Sequence, residues 1–111
     1  MSQASETIRE LNDAFRTGKR PDLGVVVGTD GVQAYGTAFL ATALQMTQAF
    51  TAFTPDNDPH GEHDFGSFTV DDELVYWKID YFDQAMKYGS ENPADEASTC
   101  RVLTIFLASE Y

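Results

Sequence analysis

Apolar and polar positions alternate along the chain with a period that changes several times, and each change marks an element. Ile8, Leu11 and Phe15 recur at helical spacing with charged residues between them, which predicts an amphipathic helix over residues 5–16. Thr7 and Glu10 have capping-box spacing, with Ser5 as another start, and Gly18 is placed to stop the helix. After the turn Gly18–Asp22, the run Leu23–Gly28 is short and β-branched and predicts a strand; Thr29-Asp30-Gly31 then reads as a turn. Phe39, Leu40, Ala43, Met46, Thr47 and Phe50 trace one stripe of a second helix at about 37–50, with Thr37 as its cap.

Two prolines, a glycine and an Asn/Asp cluster make Thr54–Gly61 a loop. Period-two patterning then resumes. Residues 64–70 predict a strand, Asp71-Asp72-Glu73 a polar hairpin tip, and Leu74–Phe82 the strongest strand of the chain. Its alternation places Val75, Trp77, Ile79 and Tyr81 on one face and Leu74, Tyr76, Lys78, Asp80 and Phe82 on the other. Residues 83–99 read as loop. The apolar run Arg101–Leu107 fits a buried strand, with a helix as the alternative. The expected fold is α+β, with two helices packed on one face of a small, mainly antiparallel sheet.

Length and composition narrow this further. A chain of 111 residues with 42% hydrophobic content has room for one domain, residues 1–111, with a packed core. No apolar run approaches the roughly 18 residues that cross a bilayer. The opening MSQASETIRELND lacks the basic-then-apolar layout of a secretion signal, so the expected location is cytoplasmic. Cys100 is the only cysteine; it can form no internal disulfide and reads as a small buried residue rather than a nucleophile.

Charge changes the picture most. The net charge is −11, and it is concentrated. Residues 1–20 carry +1, whereas residues 56–96 carry twelve acids against Lys78 and Lys87, a net of −10. Such a balance argues against direct binding of nucleic acid, whose phosphates need a basic face. It leaves two readings: a solvated face, or a field directed at a basic partner.

Candidate chemistry gathers in Asp56-Asn57-Asp58-Pro59-His60-Gly61-Glu62-His63-Asp64, which holds both histidines of the chain. Imidazole and carboxylate are good ligands for transition metals, so His60, Glu62, His63 and Asp64 form an alternative metal or acid–base set. The helical H-E-x-x-H of zinc hydrolases is absent, and a structural loop that bonds its own backbone explains the same residues. No cofactor is expected. Asp64-Phe65-Gly66 spells a kinase triplet in a chain with no glycine-rich loop or catalytic H-R-D, and Gly28-Thr29-Asp30-Gly31 lacks the lysine or basic flanks of a phosphate-binding loop. Asp80 and Asp83 near Lys78 lack the acid-x-lysine spacing of a nuclease and read as a charged strand edge.

The segments Phe53–Gly66, Trp77–Asp83 and Arg101–Tyr111 resemble a family of small bacterial proteins catalogued only as a domain of unknown function, with Phe82 standing where tyrosine is expected. The resemblance implies no catalytic residues. It implies a setting on plasmids, phages and other mobile elements, and by association a role against host defence, such as an anti-restriction or anti-CRISPR inhibitor. The expected function is therefore a non-enzymatic protein–protein binding module. Its carboxylates Asp56, Asp58, Glu62, Asp64, Asp71, Asp72, Glu73, Asp80 and Asp83 would occupy the nucleic-acid groove of a basic protein or complex by charge mimicry. No membrane partner is expected.

Overall fold

A computed structural model describes residues 3–111. Helix α1 (Gln3–Arg16) is followed by a single 3-10 turn and strand β1 (Gly24–Gly28). Helices α2 (Asp30–Ala34) and α3 (Thr37–Ala49) follow. A long loop then leads into β2 (Phe65–Val70), β3 (Glu73–Phe82) and, after residues 83–99, β4 (Cys100–Leu107). The strands form one sheet in the order β1-β4-β3-β2. The β2–β3 and β3–β4 pairs are antiparallel; β1 runs parallel to β4, with Val26 opposite Leu103.

The helices pack on one face of that sheet. Phe15 of α1, Val32 of α2, and Phe39 and Ala43 of α3 meet Val75, Trp77 and Ile79 of β3 and Leu103, Ile105 and Leu107 of β4 in one buried cluster. The register makes these strand residues neighbours: Val75 lies opposite Leu107, Trp77 opposite Ile105, and Ile79 opposite Leu103. The alternation of β3 is therefore realised, with Trp77 and Ile79 inside and Lys78 exposed on the other face. Gly66 makes room for the indole, since a Cβ there would stand 2.5 Å from Trp77 Nε1.

Several boundaries differ from the sequence reading. The helix over 5–16 begins earlier, at Gln3, so Ser5 and Thr7 lie inside α1, and the Thr7 hydroxyl donates to the Gln3 carbonyl one turn back. Thr29-Asp30-Gly31 is a helix start instead of a turn, so three helices are described where two were expected. Thr29 is the N-cap of α2, its Oγ1 accepting the Val32 N–H; five residues are too few to show a helical period. Gly36 caps α3 in place of Thr37, because a φ of +100° is needed to separate two abutting helices. Met46 points outward, and the buried stripe of α3 is Phe39, Ala43 and Thr47. The tip of the β2–β3 hairpin is the pair Asp71-Asp72, both with positive φ, and Glu73 already belongs to β3. Arg101–Leu107 is strand and not helix.

Candidate functional site

The loop that carries both histidines is tied down from within and from α1. Asp58 is nearly buried, and its Oδ1 accepts the N–H groups of Glu62 and His63 at 3.1 and 3.2 Å. His63 adopts a φ of +55° and lies flat against Phe53, ring centroids 3.8 Å apart. Its Nδ1 donates to Asp13 of α1 at 2.9 Å, and Asp58 Oδ2 lies 3.7 Å from its Nε2. Asp13 also receives the buried Arg16 guanidinium, which donates in addition to the Thr47 and Phe50 carbonyls and so closes the C-terminus of α3.

A second polar network runs behind this loop. Arg101, on the inward face of β4, is fully buried, and so is Asn12 of α1. Arg101 Nε donates to Asn12 Oδ1 and its Nη2 to the Pro93 carbonyl, both at 2.7 Å. Asn12 Nδ2 donates to the Glu62 carbonyl and to the Tyr81 hydroxyl, which in turn donates to Glu62 Oε1 at 3.0 Å. The Arg101 guanidinium stands 5.3 Å over the Tyr81 ring. Burial lowers the pKa of Arg101. Burial raises that of Tyr81, with Asp64 and Glu62 adding to it. Asp64 is also held above the usual carboxylate range, first by burial and then by Glu62 beside it.

The four residues of the alternative metal set therefore take separate roles. His63 is committed to Asp13 and Asp58, Glu62 to Tyr81, Asp64 lies at the entry to β2, and His60 is exposed. Among the described residues no three His, Cys, Asp or Glu side chains form a group able to hold a metal.

The acids of residues 56–96 fall into two groups. Asp80 and Asp83 lie at the C-terminal end of β3, and Asp64 and Glu62 are joined to the same end through Ile79 and Tyr81. Glu91, Asp95 and Glu96 lie on the segment leading to Cys100, which pairs with Phe82 there. Asp56 and Asp58 are on the adjoining loop. Asp71, Asp72 and Glu73 sit at the opposite end of the hairpin, about 30 Å away along ten residues of strand. Within the larger group, Asp58 works as an internal acceptor, Asp83 accepts the Lys87 N–H, and Glu96 pairs with Arg20. Asp56 and Glu91 are exposed.

Among the described residues no helix covers the sheet face opposite α1–α3; the C-terminal Tyr111 lies over part of it, edge-on to Tyr76 and 5.9 Å from the buried Phe106. Val25 and Val27 of β1 and Leu74 of β3 are each more than 40% exposed. Beside them lie Phe65, Tyr76 and Phe106, with ring centroids 5.4 and 5.6 Å apart in sequence across three strands. The only charged side chains projecting from the strands here, Lys78 and Asp80, pair with each other at 3.2 Å. A groove of about 540 Å³ opens on this face, floored by Phe65, Lys78, Thr104 and Phe106 and walled by Thr29, Glu110 and Tyr111. Glu110 is fixed in that wall: its Oε1 accepts the Leu107 N–H and the Thr29 hydroxyl, which hold its pKa below the usual value.

Arg101, Asn12, Arg16 and Asp13 were not singled out by the sequence reading. A signal existed for two of them. Arg101 shares the inward parity of Leu103, Ile105 and Leu107, and Asn12 falls on the same helical face as Ile8 and Phe15.

Fold and surface together define a small α+β protein with helices on one side of a four-stranded sheet and an uncovered apolar face on the other. The chain belongs to the family described as Protein of unknown function (DUF3768), which matches residues 28–110, from the last residue of β1 to the end of the final turn. No curated protein and no solved structure matches the chain.

Proposed function

We propose that this protein is a small acidic binding module whose partner is a basic, nucleic-acid-binding protein or complex. The observation that carries the reading is the gathering of carboxylates at the end of the sheet where β3 finishes and β4 begins. There Asp56, Asp80 and Glu91 add to a field that a row of lysines and arginines would meet in place of phosphates. Asp71 and Asp72 extend the same sign to the far end of the hairpin. Asp58 is excluded from the contact surface because its oxygens serve the loop. An anti-restriction or anti-CRISPR inhibitor is the specific form this reading takes.

The test uses the reversals Asp56→Lys, Asp80→Lys and Glu91→Lys together, which break one contact only, the exposed ion pair of Asp80 with Lys78. Immobilised protein is expected to retain DNA-binding proteins from a lysate, and duplex DNA or 0.5 M salt should release them. The triple variant should retain at least tenfold less at an unchanged melting temperature. Retention that ignores DNA, salt and the triple reversal would overturn the proposal.

A further inference from the structure

We infer that the uncovered face of the sheet seats one amphipathic helix of a partner protein, with an apolar stripe flanked by lysines and arginines. The inference rests on the basic-partner reading and adds the shape of the segment that is recognised. Three observations support it.

The first is chemistry. Apart from the Lys78–Asp80 pair, this face presents exposed Val25, Val27 and Leu74 and, over the buried Phe106, the rings of Tyr76 and Tyr111, on a molecule of net charge −11. Apolar side chains left in water on one face of a two-layer fold are completed by a third layer.

The second is size. Four strands spaced about 4.8 Å apart make a floor roughly 20 Å wide, of about 500 Å² in all, below the roughly 800 Å² per partner of a standard interface. A second copy of this chain would also bring its own acids against Asp71, Asp72 and Asp83, and like charges oppose that contact. One helix, about 10 Å across, fits the floor.

The third is the position of charge. The acids stand at the two ends of β3, about 30 Å apart, with Glu110 in the groove wall between them. A helix of about 20 residues spans the same 30 Å. Laid along β3 and β4, it would set its apolar stripe on Val27, Leu74 and Tyr76 and its basic flanks beside Asp71–Asp72 at one end and Asp80–Asp83 at the other. An extended strand added to β1 is the less suitable occupant. β1 has only five residues, and Gln33 Nε2 already donates to its Gly28 carbonyl at 2.7 Å.

The experiment titrates the full chain with three synthetic 18-residue peptides of equal leucine and lysine content. One has leucines at helical spacing, one has the same residues scrambled, and one alternates strictly and so favours a strand. Binding is read by calorimetry and by amide chemical shifts. The helical-stripe peptide is expected to bind at least tenfold tighter than the other two, with shifts confined to open-face residues of β1, β3 and β4.

Val27→Glu with Leu74→Glu separates apolar seating from charge. It adds negative charge and removes apolar surface, so it should weaken the stripe peptide at least tenfold while leaving the scrambled peptide unchanged or tighter. If the pair lowers the melting temperature, Val27→Gln with Leu74→Gln replaces it, with the same loss expected. Equal binding of stripe and scramble, tightest binding of the alternating peptide, or stripe binding undiminished by these substitutions would overturn the inference. The triple Asp56, Asp80 and Glu91 reversal reports on the charge that both readings use, since Asp80 flanks the seat, and the face variants report on the seat alone. If it weakens all three peptides while the face variants weaken none, the helix seat fails and the basic-partner proposal stands.

Discussion

At the scale of single residues, carboxylates of this chain do opposite kinds of work. Asp58 holds two backbone N–H groups with one oxygen. Its removal in Asp58→Ala should cost about 2–3 kcal/mol, because buried donors are left unpaired. Asp58→Asn keeps an acceptor oxygen and should cost less than half as much. Chemical denaturation of the two variants checks the order. Asp64 is the contrary case. Burial and Glu62 raise its folded pKa above the ordinary value of 3.8, so the protonated form is the one the fold favours. The stability it contributes is fully present below the unfolded pKa and is lost as pH rises through the folded pKa. Asp64→Asn should therefore melt higher than wild type at pH 7, with the difference shrinking as pH falls towards about 4. A difference that stays constant across that range would show that the charge is not the cause.

At the scale of elements, the β2–β3 hairpin shows how a local rule was met with an unfavourable residue. A two-residue connection between twisted strands needs positive φ at both positions, which Asn-Gly supplies most easily. Here Asp71 and Asp72 sit at φ 49° and 67°. Asp71→Asn with Asp72→Gly should raise stability by about 0.5–1 kcal/mol, by relieving left-handed strain and the repulsion of adjacent charges. A calorimetric melting curve decides it. The same geometry makes lysine a poor probe at these positions, since reversal there would combine a charge effect with a turn effect. The segment 83–99 is an element of a different kind. It has little regular structure, yet Gln84 Nε2 donates to the carbonyls of Glu96, Ala97 and Thr99, and the buried Thr99 hydroxyl donates to Asn92. Side-chain bonds of this sort fix the return of the chain into β4, and hydropathy patterning carries no trace of them.

At the scale of the whole molecule, a net charge of −11 on 111 residues makes the compact state repel itself. Salt screens that repulsion beyond about 10 Å at 0.1 M. The melting temperature at neutral pH should therefore rise between 20 mM and 0.5 M sodium chloride, while binding to a basic partner should weaken over the same range. Opposite salt responses of stability and binding are the signature of a surface whose charge is costly to the fold and useful to the contact. A melting temperature that falls with salt would mean that internal ion pairs, such as those of Arg20 with Asp22 and Glu96, outweigh the repulsion.

How much of this was legible in the chain follows from which forces act locally. The sequence alone determined the amphipathic helix over residues 5–16, the inward set Val75, Trp77, Ile79 and Tyr81, the β2–β3 hairpin, and the concentration of acid in residues 56–96. Each is a matter of period or composition, set by neighbours a few positions away. Only the tertiary structure decided the parallel pairing of β1 with β4, the division of the acids between the two ends of the sheet, and the bare face between them. Only the tertiary structure, too, placed Arg101 against Asn12 across 89 positions of sequence and His63 against Asp13 across 50. A buried guanidinium is tolerated where carbonyl and amide oxygens converge on it, and that convergence comes from the packing of α1 against β4 and the loops, which no local pattern encodes.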